Sequence, residues 1–423
     1  MTDRGLPAAP EVTAVVPTVG RSPWLAACLR ALRRQADAAA LEILVVDQAP
    51  QPLALPPGLA DRVLRPERNL GFAGGTNLGL AAARGELLAT VNDDAVVGPG
   101  WLAALTAALR ADPHAAAAQG INILGASSGM EPAGAGGQPG ERSRDEPERI
   151  DGCGLGWNRW WQAIQIGHGE PPPPLTGGGQ APALPGALGQ AAMPRAAASM
   201  AKAPTAASRL AQMSSLSFEP APGPQPATGA VAVAEIFGVS ATAALFRRTA
   251  LEQVALGGQV FDPRLVSYYE DAELAGRLRA AGFRALLAPA ARARHAGSAS
   301  GRTAAAGRER WRLIYGNRYL AAARLLGRGL WPRLPLMLLR DLLDLAGPAA
   351  LLRALGRHDS RGLPGESGAA PGSPGTRRGR LTGMVAGWGR ALRQLPAFAR
   401  IGAPAPAPAE VARLSRWPIQ PRP

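Results

Sequence analysis

The chain reads as an α/β protein, a mixed sheet with helices on both faces followed by a helical tail. Three observations predict it. Continuous apolar runs at residues 12–16 and 41–46 flank a stretch with apolar residues at helical spacing, a βαβ unit whose crossover is expected to be right-handed. A Gly/Asn-rich turn at residues 69–79 then opens a helical run and leads into a short apolar strand at residues 86–91. Two acidic clusters close elements of this kind: Asn92-Asp93-Asp94 where that strand ends, and Glu270-Asp271 in the first turn of a later helix. Carboxylates at the carboxyl ends of strands lie where open α/β sheets bind ligands.

The first strand ends in Pro17-Thr18. Ser22-Pro23 supplies an N-cap with Pro at the first helical position. Leu25, Cys28, Leu29 and Leu32 then recur at i, i+3, i+4 and i+7, one buried face. The strand at residues 41–46 ends in Asp47, on the same sheet edge as Asp94. Gly71, Gly74, Gly75 and Gly79 permit close backbone approach, and a helix N-terminus after such a turn can hold phosphate. Pro99 starts another helix with Trp101, Leu102, Leu105 and Leu109 on its buried face, and residues 115–124 add a strand.

Residues 125–149 lack periodicity. Residues 150–169 are denser, with Trp157, Trp160 and Trp161, and His168 between two glycines reads as a loop residue. Residues 170–229 are Pro, Ala, Gly and Ser with one aromatic, Phe218. Too little apolar surface is available there to offset ordering entropy, which predicts a disordered insertion with a transient helix near residues 196–212. Order returns at Val233. Residues 235–246 read as a strand pair with a turn, and residues 247–254 as a short helix. Residues 267–282 form a helix with Leu274, Leu278 and Ala281 on one face and Gly282 as its stop. Residues 284–288 and 291–295 read as closing strands.

In the tail, residues 325–355 are apolar but interrupted by Arg340, Asp341 and Asp344. That excludes an ordinary spanning helix and fits an amphipathic one lying on a membrane or packing on the domain. Residues 362–379 read as a linker and 381–400 as a second basic amphipathic stretch. The formal net charge is +15, almost all from Arg. No aromatic-interleaved basic run or recognition-helix pattern accompanies it, so nucleic acid is a poor partner, while anionic lipid and nucleotide diphosphates fit better. Two cysteines, Cys28 and Cys153, imply neither a disulfide framework nor a zinc site. The amino end lacks a signal-peptide apolar region and no run of 18 or more apolar residues occurs, so a cytoplasmic protein is expected, with peripheral membrane association at the inner face.

Asn69, Gly71, Phe72, Gly75, Asn77 and Gly79, then a strand, then Asn92 and Asp94, together resemble the donor half of a family 2 glycosyltransferase of the rhamnosyltransferase-like branch. Downstream, Phe261, Asp262, Tyr269, Glu270, Asp271, Glu273, Leu274, Arg277 and Gly282 stand in the register of that family's second motif. The resemblance covers residues 12–124 and 233 to about 326. It implies a GT-A fold, a Rossmann-like nucleotide-diphospho-sugar transferase sheet, in five parts. These are a donor half (1–124), an acceptor-side hairpin (125–169), the insertion (170–230), a catalytic half (231–326) and the helical tail (327–423).

The same resemblance implies the site. Pro17, Thr18 and Asp47 would hold the nucleoside, with Asn69, Gly75, Asn77 and Asp93 also on the donor side. Only the Asp of the family's Asp-Asn-x-Ser is kept in Asp47-Gln48-Ala49-Pro50. Asn92 and Asp94 would hold a divalent metal, Mg or Mn, joined by His295 of the segment His295-Ala296-Gly297-Ser298. Asp271, beside Glu270, would be the base that takes the proton of an acceptor hydroxyl. Arg310-Trp311 lacks the Gln of the processive motif, since Gly307 stands there. Asn317-Arg318 fits a non-processive member. The branch suggests rhamnose as the sugar and a cell-surface glycan or lipid-linked precursor as acceptor. A nucleotidyltransferase and a non-catalytic sugar-nucleotide binder or scaffold are the alternatives.

Overall fold

The computed structural model describes residues 10–35, 41–125, 147–173, 233–297, 304–346, 374–399 and 407–416. The insertion beyond residue 173, its expected helix, Ser298 and residues 362–373 of the expected linker lie outside them. Twelve strands are labelled in chain order: β1 (Val12–Thr18), β2 (Leu41–Asp47), β3 (Arg62–Leu64), β4 (Leu87–Val91), β5 (Ala95–Val97), β6 (Ala115–Leu124), β7 (Ile150–Gly152), β8 (Leu155–Trp157), β9 (Ala163–Gln165), β10 (Ala234–Ile236), β11 (Ala243–Arg247) and β12 (Arg284–His295). The helices are α1 (Leu25–Arg33), α2 (Gly71–Ala82), α3 (Trp101–Ala111), α4 (Arg248–Val254), α5 (Glu270–Ala280), α6 (Ala304–Leu326), α7 (Leu334–Ala346), α8 (Pro374–Ala399) and α9 (Pro408–Leu414).

The main sheet has the order β10-β12-β6-β11-β4-β1-β2-β3, with β5 on β12 and β7 on β6. β1 is parallel to β2 and β4, as the βαβ reading requires, and β11 is antiparallel to both β4 and β6. The two sequence halves therefore share one sheet. Its strands alternate sides with period two: Ala14 and Val16 enter a core covered by α1 and α3, while Val15 enters one covered by α2, α4 and α5. This is a mixed sheet with helices on both faces, a GT-A-like Rossmannoid architecture, extended by C-terminal helices around a third core that includes Tyr319, Leu330, Met337, Leu395 and Phe398.

Several local expectations need correction. Residues 235–246 hold two strands, but these do not pair with each other: β10 pairs with β12, and β11 with β4 and β6. The two closing strands are one, β12, with an irregularity between Leu287 and Arg292. α1 begins at Leu25 without a side-chain cap at its own N-cap, although the Ser22 hydroxyl oxygen still accepts from Trp24 N at 3.2 Å. α8 starts at Pro374, inside the expected linker.

The glycines of the donor turn lie inside α2 rather than before it. Gly79 lets the helix sit directly on the sheet: a Cβ there would stand 2.3 Å from Val15 Cγ1 and 3.0 Å from Val46 Cγ2. Both neighbours are β-branched and buried, so they have little room to yield. Gly79→Ala is expected to cost about 1–3 kcal/mol, read as a lower denaturant midpoint at unchanged slope.

Candidate functional site

Parallel strands bring their carboxyl ends to one edge, and Thr18 and Asp47 are direct register partners there. The Thr18 hydroxyl donates to Asp93 Oδ2 at 2.5 Å, and the Ser22 hydroxyl donates to Asp93 O at 2.9 Å. Burial pushes the Asp93 carboxyl up to about 6; the Thr18 hydrogen bond opposes that rise and the charge of Asp94 adds to it. Pro17 precedes this contact inside β1.

The Asp47 carboxylate is turned into its own loop. Its oxygens accept from Ala49 N at 2.9 Å and Leu53 N at 3.0 Å, and it pairs with Arg65 at 2.6 Å. Gln48 is buried and reaches the start of α2, where its Oε1 accepts from Leu70 N at 2.8 Å and its Nε2 lies against Gly71 O. Gly75 gives it room, since a Cβ there would lie 2.3 Å from Gln48 Nε2. Asn69 Oδ1 accepts from Gly71 N at 2.8 Å. The buried Asn77 amide binds Phe261 both ways, donating to its O at 2.7 Å and accepting from its N at 2.9 Å. In this arrangement Asn69 shapes the start of α2, Gly75 seats Gln48 against the helix, and Asn77 joins the helix to the second motif.

Asp94 meets His295 because β5, which starts one residue after Asp94, runs against the end of β12, with Ala95 opposite His295. His295 Nε2 lies 3.2 Å from Asp94 Oδ1, and His295 Nδ1 lies 2.9 Å from Asp151 Oδ2. Burial alone would lower the imidazole's pKa; hydrogen bonds to Asp151 and Asp94 outweigh it and bring it to about 10. Asn92 Oδ1 is buried and has no hydrogen-bond partner among the described residues.

Once its Nε2 proton is displaced, His295 could hold a divalent cation together with Asp94 and Asn92. Ligand atoms on adjacent octahedral positions of Mg²⁺ or Mn²⁺ are spaced about 3 Å apart, the separation of Asp94 and His295. Asp151 lies behind the imidazole, where a carboxylate would orient the ring for a metal. No group of three or more His, Cys, Asp or Glu is placed to hold a metal among the described residues, so donor oxygens would have to complete such a shell. Asp151, Gln48 and Arg65 carry no signal in the sequence that assigns them here. Asp151 lies in the Trp-containing stretch of residues 150–169, and its partner is 144 residues away.

The second acidic pair reaches the same place through one short segment. Thr242 O accepts from Asn92 N at 2.8 Å, while Asp271 Oδ2 lies 3.4 Å from Ala241 N. Asp271 also accepts from Ala272 N at 2.8 Å. Glu270 is buried and its Oε2 has no partner among the described residues. Burial, then the neighbouring Asp271 charge, drives the Glu270 carboxyl well up; burial also raises Asp271, opposed by its backbone amides and Ser240. Asp271 thus has more hydrogen-bond donors opposing its rise than Glu270 has.

The backbone leading into this pair is strained. Val266, Tyr268 and Tyr269 all have positive φ, at 65°, 67° and 69°. Val266 is the centre of a γ-turn in which Ser267 N donates to Leu265 O at 2.7 Å. The buried Asn317 amide nitrogen lies 2.7, 2.8 and 2.7 Å from the carbonyls of Leu265, Ser267 and Tyr268, and Arg390 of α8 donates to its Oδ1. Trp157 of the β8–β9 hairpin packs on Tyr269 and Trp161, with ring centroids 6.1 and 6.4 Å apart, and Trp160 lies under Arg159. His168 faces Asp151 O at 2.8 Å.

Residues 13–133 match the family model described as Glycosyl transferase family 2. No curated protein matches the chain. Among solved structures it is similar to GalNAc-T7 with UDP, GalNAc and Mn²⁺ (12% identity, TM-score 0.42), covering 74% of this chain and about half, 51%, of that one. It is also similar to the mannosyltransferase PcManGT from Pyrobaculum calidifontis in complex with GDP-Man and Mn²⁺ (17% identity, TM-score 0.41; 91% of this chain, 88% of that one). A third is S. aureus TarS (15% identity, TM-score 0.35; 75% of this chain, 43% of that one). By the family match, residues 13–133 carry a family 2 glycosyltransferase segment, the part of the chain that speaks for sugar-transfer chemistry.

Proposed function

We propose that the protein is an inverting, non-processive glycosyltransferase moving a sugar from a nucleotide-diphospho-sugar to a hydroxyl of a glycan or lipid-linked acceptor at the inner face of the cell membrane. The observation that supports it best is the shared segment of residues 240–242, which ties the Asn92–Asp94 cluster to Asp271. On this reading the donor's diphosphate would bind beside an ionisable base.

Asp271 takes the acceptor O–H proton while the acceptor oxygen bonds to the anomeric carbon and the bond from that carbon to the diphosphate breaks. A single displacement inverts the configuration. Thr18 and Asp93 border the donor side. A Mg²⁺ or Mn²⁺ held by Asp94, His295 and Asn92 would neutralise the leaving diphosphate. The motif in residues 69–79 makes dTDP-rhamnose the first donor to test.

Nucleoside diphosphate release from a panel of sugar nucleotides, with Mn²⁺, Mg²⁺ or EDTA, tests this reading. Metal-dependent release with one donor, lost in Asp94→Ala and Asp271→Ala, is expected. Donor binding without release would favour a binder, and pyrophosphate release from a nucleoside triphosphate and a sugar phosphate would favour a nucleotidyltransferase. Asp151→Asn is expected to weaken Mn²⁺ binding about 10–100-fold, measured by titration calorimetry, because His295 loses the group that orients it.

A further inference from the structure

The polarity of α7 is inverted. At 100° per residue, Leu338, Leu339 and Leu342 lie on one side of this helix and Met337, Asp341 and Asp344 on the other. The polar side faces the protein. Asp341 is fully buried: it pairs with Arg318, accepts from the Tyr319 hydroxyl at 2.5 Å and accepts from Trp388 Nε1 at 3.0 Å. Asp344 accepts from Gln162 Nε2 at 3.0 Å and pairs with Arg340 at 2.5 Å. The leucines face outward, with Leu338, Leu339 and Leu342 exposed by 37, 49 and 50%, and Trp331 just before the helix exposed by 60%. A helix whose carboxylates are locked inside and whose leucines point out is built for an apolar phase outside it.

Charge selects among the phases that could cover this face. Residues 327–423 hold fifteen arginines against five acidic residues, so +10 of the chain's +15 lies in this tail. Arg328 is exposed beside Trp331. A second copy of the same face would bring like charge against like, whereas an anionic bilayer offers an apolar interior beneath a negative surface. We propose that the Leu338, Leu339 and Leu342 face of α7, with Trp331, docks this protein onto the surface of an anionic phospholipid bilayer. The proposal deepens the membrane-side part of the reading above and requires no turnover.

The experiment is co-sedimentation of the full chain with vesicles containing phosphatidylglycerol and with vesicles of phosphatidylcholine alone, at low and high salt. The triple variant Leu338→Ser, Leu339→Ser, Leu342→Ser is run beside the wild type. Wild type is expected to bind the anionic vesicles, more weakly at high salt and on neutral lipid, and the variant to lose about tenfold or more of its partitioning at an unchanged melting temperature. Failure of the wild type to bind anionic vesicles would overturn the proposal. So would equal binding by the variant, or a wild-type dimer in sedimentation velocity that the variant converts to monomer. A protein that binds vesicles but releases no nucleoside diphosphate would retain this docking surface and lose the transferase reading.

Discussion

Replacing Asp271 by Asn is expected to lower kcat about 10²–10⁴-fold, the usual contribution of a positioned general base, with little change in donor affinity. The carboxylate lies at the first turn of α5, where one oxygen accepts from Ala272 N at 2.8 Å and the other faces Ala241 N at 3.4 Å, so an amide of the same shape keeps the nearer bond and gives up the longer one together with the proton acceptor. Stopped-turnover assays and donor titration separate the two effects. The pH profile supplies a second check. Burial raises Asp271 above the ordinary carboxylate range, and a base works deprotonated, so the acid limb of kcat/KM should lie above that range and climb with pH through it.

Glu270→Gln should behave differently. The Glu270 carboxyl is raised well above its unfolded value by burial, so between the unfolded and folded values the folded protein holds a proton that the unfolded chain has released. Its contribution to stability is greatest in acid and is lost as pH rises through the folded pKa. Glutamine mimics the protonated acid without that dependence. The variant should therefore keep most activity and gain in melting temperature over wild type as pH rises above the ordinary carboxylate range, with the gap closing on acidification. A loss of activity equal to that of Asp271→Asn would instead assign the base to Glu270.

The second large effect is expected at Asn317. Three non-glycine residues at positive φ each cost about 1–3 kcal/mol, and persist only where surrounding contacts hold them. One amide provides that hold by bridging three carbonyls of the turn. Asn317→Ala removes the bridge and leaves those carbonyls and the Arg390 guanidinium without it. A loss of about 3 kcal/mol or more is expected in denaturant unfolding, together with a fall in kcat as Glu270 and Asp271 lose their register. Asn317→Asp should not rescue: its second oxygen would face three carbonyl oxygens where the amide offers N–H. Equal kcat in both variants and wild type would show that the turn keeps its shape unaided.

The legible part of the fold is the part written in local patterns. Continuous apolar runs ending in Thr18, Asp47 and Asn92 mark strands whose carboxyl ends meet at one edge, because parallel pairing through a right-handed crossover leaves no other arrangement. The helix that begins at Glu270 was equally readable, since spacing and breakers are properties of neighbouring residues, whereas the Gly/Asn stretch read as a turn is the body of α2.

Pairing at a distance was not readable. Residues 235–246 look like a hairpin, but β11 finds two partners, one on each side, that the chain made more than a hundred residues earlier. His295 reaches Asp94 only through the register of β5 on β12, and Asp151 reaches His295 only because β7 adds to β6. The buried pair Arg318 and Asp341 shows the same limit beneath α7. Alone, the apolar and charged residues of α7 describe an amphipathic helix without saying which side faces in. The buried arginine of α6 decides it, because leaving that charge unpaired would cost more than exposing three leucines to the outside. Sequence alone thus determined the elements, the strand-end acids and the class of chemistry they suit. Tertiary structure decided which acids meet which partners, and which face of the tail is left open, because register and sheet order are settled by the sum of distant contacts.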